Sequence, residues 1–207
     1  MIKLQLILKR IFDILASCLG ITILFPVFII IAILIKLDSD GPIIFLQERL
    51  GKDGSVFKIY KFRTMCDDAV NVGRGIFTDE EDPRITKIGK LLRKTSLDEI
   101  PQFINIIKGQ MSFVGPRPPL IHHPHKYENY TDFKIQRFKM KPGITGLAQV
   151  KGRNNLTWDE RIELDVEYIN NFNIMLDFKI LIMTIFSVIS KKGIYRREKG
   201  EKSTSTN

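Results

Sequence analysis

The chain has 207 residues, 44% hydrophobic and 10% aromatic, the usual content of one good core plus an appendage. Its two cysteines, Cys18 in an apolar stretch and Cys66 in a polar one, exclude a disulfide framework and favour a reducing, cytosol-facing location. A net charge of +9 calls for an anionic partner, and nucleic acid is not expected, because no helix-turn-helix, RNA-binding aromatic signature or zinc spacing accompanies it.

Ile14 to Ile35 is almost wholly apolar and reads as a membrane segment. A cleaved signal peptide is the bland alternative, but no small-x-small site follows Ile35, and a single straight span is the better competitor. Lys3, Lys9 and Arg10 flank one end and Lys36, Arg49 and Lys52 follow the other, so the positive-inside rule draws both ends to the cytoplasm. Pro26 near the middle offers a bend, and arms of about 22 Å and 15 Å are each too short for a hydrocarbon core of about 30 Å. The expectation is a re-entrant helical hairpin within one leaflet. Asp13, three and four residues after Arg10 and Lys9, is expected to neutralise them at headgroup level.

Gly41-Pro42 makes a turn, Ile43 to Leu46 reads as a strand or helix start, and Gly51 to Gly54 is a turn before a strand over Val56 to Arg63. Asp67 to Glu81 has no period and reads as a mobile loop. Ile85, Ile88, Leu91 and Leu92 then mark an amphipathic helix that leads to Asp98-Glu99. From Asp98 on, Ile100, Phe103, Ile104 and Ile107 predict a helix that Gly109 ends.

Taken alone, Asp98-Glu99 is a helix cap. The surroundings point further: Arg84, Lys87, Lys90, Arg93 and Lys94 precede the pair, and Arg117, between Pro116 and Pro118, follows the helix. Cations, a helix start and carboxylates together can bind phosphate and Mg²⁺, with the carboxylates holding the metal or attacking phosphorus.

Beyond this centre, His122, His123 and His125 are loop residues interrupted by Pro124, without metal-ligand spacing. Phe133 to Met140 reads as a short basic helix, Lys141 to Gly146 as a rigid loop, Leu147 to Val150 as a small strand and Gly152 to Asn155 as a polar loop. Thr157 with Glu160 forms a capping box for the next helix. The apolar helix Leu176 to Lys191 is expected to pack on the bilayer surface or the core, with Arg196-Arg197 facing anionic lipid and a disordered tail from Glu198.

Lys9 to Asp13, Gln47 to Gly51, Lys61 to Met65, Asp82 to Thr86, Thr95 to Gln102, Val114 to Pro118 and Pro142 to Gln149, in that order, make the chain resemble the small monotopic phosphoglycosyl transferases among the bacterial sugar transferases. The resemblance implies transfer of a sugar-1-phosphate from a UDP-sugar to undecaprenyl phosphate, with Mg²⁺, at the cytoplasmic face of the bacterial inner membrane. It implies that Asp98 is the nucleophile and a metal ligand, and that Glu99 assists proton transfer. Arg93 and Arg117 match basic positions that contact phosphate or uridine; Lys61, Arg63 and Arg84 are further candidates for which packing or solvation is an equal reading. The sequence departs from the family at Phe25, where serine is common before Pro26, and at Gln110, where an acidic residue is common. Gly152-Arg153-Asn154 resembles the loop of members that use acetamido sugars.

The expected fold is a helix-rich α/β monotopic membrane protein: a re-entrant hairpin over 1–37, a small cytosolic catalytic lobe with amphipathic surface helices over 38–192, and a basic tail over 193–207. Nothing in the sequence sets an oligomeric state. Two rivals are kept: a membrane-tethered, non-catalytic anion-binding protein, and a direct glycosyltransferase that releases UDP.

Overall fold

The computed structural model describes residues 2–66, 69, 82–152 and 155–189; the expected loop over 67–81, the Arg153-Asn154 pair and the tail lie almost wholly outside them. Helix α1 runs from Ile2 to Asp38 and is, among the described residues, the one helix long and apolar enough to cross a membrane.

Helical structure continues from Ile2 to Asp38 through Pro26, so the two expected arms are not separate elements. Proline removes the bond its own N–H would give to the Thr22 carbonyl and its ring crowds that carbonyl, but packing on both sides of it holds the helix. Buried Lys9, Asp13, Ser17, Ile31 and Ile35 lie on one stripe of α1. At the far end Ile31 and Ile35 pack with Phe62 and Leu92, and Asp38 Oδ2 accepts from the Ile88 N–H at 2.8 Å, so both halves of α1 rest on the same lobe. The opposite face is exposed and apolar, with Leu15, Leu19, Ile23, Phe25, Ile29 and Ile33.

Strands β1 (Ile44–Leu50) and β2 (Val56–Phe62) pair antiparallel, Ile44 opposite Phe62 and Leu50 opposite Val56. Side chains alternate along a strand, so Phe57, Ile59 and Lys61 share one face of β2. The first two pack on Ile106 and Met111, which leaves Lys61 aimed past the end of that cluster.

Helix α2 (Lys87–Thr95) starts at Thr86, whose side chain accepts from the Gly89 N–H, and ends at Ser96 in the left-handed region (φ 59°). The single helix expected over Asp98 to Gly109 is instead a 3₁₀ turn, Leu97–Gln102, followed by the short α3, Phe103–Ile107. Tertiary bonds accompany the break: fully buried Asn105 accepts from the Tyr60 N–H and donates from Nδ2 to the Lys58 carbonyl and to Gln110 Oε1, tying α3 to β2. Gln110 supplies an acceptor oxygen there, so the family's acidic residue is not needed for that bond.

Strand β3 (Ser112–Val114) pairs in parallel with β4 (Gly143–Thr145), inside the segment expected to be a loop. It is the only parallel pairing among the described residues, so helices dominate the α/β character. Leu147–Lys151 is a helix, α4, rather than a strand: short apolar runs are ambiguous by period, and in helical form Leu147 buries against Tyr168 and Ile180 and Ala148 is buried beside it. Phe133–Met140 contains a 3₁₀ helix, Lys134–Phe138. Helix α5 (Trp158–Asn170) carries the Thr157–Glu160 capping box, and α6 (Ile174–Ile189) lies beside α1, with Phe12 and Phe178 ring centroids 6.1 Å apart.

Candidate active site

Three elements meet at Asp98-Glu99. Lys61, near the end of β2, places Nζ 2.7 Å from Glu99 Oε1 and 3.9 Å from Asp98 Oδ2. Arg117, between two prolines after β3, donates from Nη2 to the same Glu99 oxygen at 3.2 Å. Arg93, in the last turn of α2, donates from Nε to Thr64 Oγ1 at 2.9 Å and acts on Asp98 through its charge.

The two carboxylates are unlike. Burial pushes Glu99 up, but the charges and hydrogen bonds of Lys61 and Arg117 outweigh it and hold Glu99 at about 2. Burial pushes Asp98 above the usual carboxylate range, Lys61 draws it back, and the charge on Glu99 adds to the rise. Among the described residues no donor hydrogen-bonds to the Asp98 carboxylate; its side chain is 13% exposed and that of Glu99 17%, so hydrogen bonding and not exposure distinguishes the two. Glu99, gripped by two cations, is held ionised in this arrangement and anchors Lys61 and Arg117.

The motif Gln47 to Gly51 hides a further member that residue-type reasoning did not single out. Arg49, at the end of β1, donates from Nη1 to the Pro118 carbonyl and from Nη2 to Gln47 Oε1. Burial, and then the neighbouring charge of Arg117, lower it to about 10 although Glu99 pulls the other way. Cations thus outnumber carboxylates at the site, which suits an anion carrying more than one charge.

Other candidates go elsewhere. Arg63 donates from Nη2 to the backbone and hydroxyl oxygens of Ser39, tying β2 to the chain after α1. Arg84 is buried on Asp82, to which both Nε and Nη2 donate, and Nη1 donates to the Ala69 carbonyl. Lys9, Arg10 and Asp13 do not neutralise one another, because each reaches a buried partner in the lobe. Lys9 pairs with Asp177, Arg10 donates to the Ile106 and Ile107 carbonyls at the end of α3, and Asp13 accepts from Ser112 Oγ and the Phe113 N–H. The His123 ring meets Trp158 and the His125 ring meets Tyr130. No group of three or more His, Cys, Asp or Glu positioned for a metal occurs among the described residues.

A carboxylate pair ringed by cations thus sits on a lobe that carries a long helix with an apolar outer face. Comparison with known proteins is specific: the family profile for bacterial sugar transferases matches residues 4–191, and the chain belongs to that family. It is 45% identical over 200 residues to the galactosyl transferase CpsE of Streptococcus agalactiae serotype III (strain NEM316), covering 91% of this chain and 44% of that protein. It is 42% identical over 196 residues to the UDP-glucose:undecaprenyl-phosphate glucose-1-phosphate transferase of Escherichia coli (strain K12), covering 91% and 42%. The exopolysaccharide production protein PSS of Rhizobium leguminosarum bv. phaseoli is 42% identical over 195 residues, covering 90% and 98%. The chain therefore spans less than half the length of the first two relatives and nearly all of the third.

Proposed function

We propose that the chain transfers a sugar-1-phosphate from a UDP-sugar to undecaprenyl phosphate, releasing UMP, as the first membrane step of glycoconjugate synthesis. The observation that carries this reading is the asymmetry of the pair: among the described residues no donor hydrogen-bonds to the Asp98 carboxylate, while Glu99 accepts from both Lys61 and Arg117. Relatives that include a UDP-glucose:undecaprenyl-phosphate glucose-1-phosphate transferase support the substrate classes.

An Asp98 carboxylate oxygen attacks the sugar-bearing phosphorus, the bond from that phosphorus to the bridging oxygen breaks, and UMP leaves with the electron pair. A phosphate oxygen of undecaprenyl phosphate then attacks the aspartyl-phosphosugar at phosphorus and displaces the Asp98 carboxylate. Two displacements replace one between two anions, and ionised Asp98 needs no base for the first. Lys61, Arg93, Arg117 and Arg49 are the groups at hand to hold the phosphates and offset their charge. Among the described residues the dyad offers one carboxylate without a hydrogen-bond donor, Asp98, which fits Mg²⁺ because that ion is commonly bound by one or two carboxylates plus substrate phosphates; Asp98 would hold it, and it would offset phosphate charge.

The membrane placement is part of the same proposal. Lys9, Arg10 and Asp13 near one end of α1 and Ile31, Ile35 and Asp38 at the other are all bound to one lobe, which favours insertion from one side rather than crossing. At about 1.5 Å per residue α1 is about 55 Å long, so it lies obliquely at the cytoplasmic face of the inner membrane. Its apolar face, continued by Met175, Phe178, Ile182 and Ile185 of α6, enters the lipid, where anionic headgroups meet the basic surface.

The test is nucleotide release by the protein in nanodiscs, given Mg²⁺, undecaprenyl phosphate and a panel of UDP-sugars, with Asp98→Asn alongside. UMP from one donor, absent in the variant, is the expected result. UDP release would mean direct glycosyl transfer, and nucleotide binding without release would mean an anion-binding protein.

A further inference from the structure

Arg117 sits in a segment that can hardly donate hydrogen bonds, because Pro116, Pro118 and Pro119 have no N–H. Each of its four carbonyls is taken by a different donor. The Gly143 N–H bonds to the Pro116 oxygen at 2.9 Å and the Leu50 N–H to the Pro119 oxygen at 3.0 Å. Between them, Arg137 Nη2 donates to the Arg117 oxygen at 3.0 Å and Arg49 Nη1 to the Pro118 oxygen at 3.1 Å.

Arg137 is the unusual member. It is 2% exposed, it pairs with Asp165 at 2.6 Å, itself 1% exposed, its charge acts on the nearby Tyr130 hydroxyl, and among the described residues its Nε and Nη1 lack a well-formed hydrogen bond. A buried Arg–Asp pair is a weak device for stability, since apolar residues of similar volume serve as well or better. It is an effective device for fixing one point of backbone, because a charged guanidinium makes a strong, directional bond to a carbonyl. The fixed point here is the carbonyl of the residue whose side chain, 42% exposed, reaches Glu99.

We propose that Arg137, backed by Asp165, is a positioning residue that sets the Arg117 guanidinium against Glu99 by holding the Arg117 carbonyl, with Arg49 securing the next one. The inference rests on the reading of Arg117 as a contact for the donor's phosphates.

The experiment measures UDP affinity by calorimetry on the full chain in nanodiscs with Mg²⁺, together with the thermal midpoint. The variants are Arg117→Ala, the pair Arg137→Met/Asp165→Leu, and all three changes together. The paired variant is expected to keep its midpoint and to weaken UDP binding about tenfold to a hundredfold, the range for losing one charge-assisted contact. Adding Arg117→Ala to it should weaken binding no further, because both changes act on one contact. Wild-type affinity in the paired variant, or losses that add in the triple one, would overturn the proposal. Should the pair not fold, Arg137→Lys keeps a cation beside Asp165 and is expected to show the same loss; wild-type affinity there counts against the inference. UDP binding that ignores Arg117→Ala would instead remove the reading of Arg117, and the inference with it.

Discussion

Lys61 Nζ stands 2.7 Å from Glu99 Oε1 and leans toward Asp98, whose Oδ2 is 3.9 Å away, so one ammonium serves two carboxylates of opposite temper. Its loss is felt by both. Lys61 is the largest influence lowering Asp98, so Lys61→Met raises Asp98 further. A nucleophilic carboxylate works only when ionised, and the acid limb of the pH–activity profile is therefore expected to move to higher pH. kcat/KM at neutral pH should fall on the order of a hundredfold, as for removal of one group that stabilises transition-state charge.

Glu99→Gln shifts the same limb the other way. The Glu99 charge raises Asp98, and removing it also leaves Lys61 free to turn to Asp98; both changes lower the proton affinity of Asp98. A ¹³C-carboxyl titration of Asp98 in the two variants checks the pair, and shifts of the same sign would contradict the assignment of Lys61 and Glu99.

Asp13 is 2% exposed and accepts from both Ser112 Oγ and the Phe113 N–H at 3.1 Å. Asp13→Ala leaves those donors buried without it and is expected to cost about 2–3 kcal/mol, read from chemical denaturation in nanodiscs. UDP affinity of the folded fraction should stay unchanged, because Asp13 bonds to β3 and not to the dyad.

One-sided insertion predicts that both ends of α1 are reached from the same compartment. In a Cys18→Ser/Cys66→Ser background, Lys3→Cys and Asp40→Cys should both react with an impermeant maleimide in inverted vesicles and neither in intact cells with permeabilised outer layers. Labelling of the two from opposite sides would establish a crossing helix.

The sequence by itself determined the features that depend on near neighbours in the chain. The apolar run of α1 needs only composition, the Thr157–Glu160 box needs three residues, β2 needs its alternation, and Asp98-Glu99 with Arg93 and Arg117 is visible as charge clustered about a short helix. Tertiary structure decided whatever depends on a partner far along the chain. Pro26 is a bend signal locally, but contacts from Lys9 to Asp177 and from Ile35 to Leu92 lie on both sides of it and hold one continuous helix. Glycine-rich Gly143–Thr145 has no strand period, and becomes β4 only because Ser112–Val114 lies beside it. Arg49 and Arg137 look like any surface cation in the sequence, and acquire meaning from two proline-flanked carbonyls 69 and 20 positions away. A period or a cap is a short-range energy that residue types encode directly, whereas which charge meets which carbonyl is settled only when the lobe closes and excludes water from both.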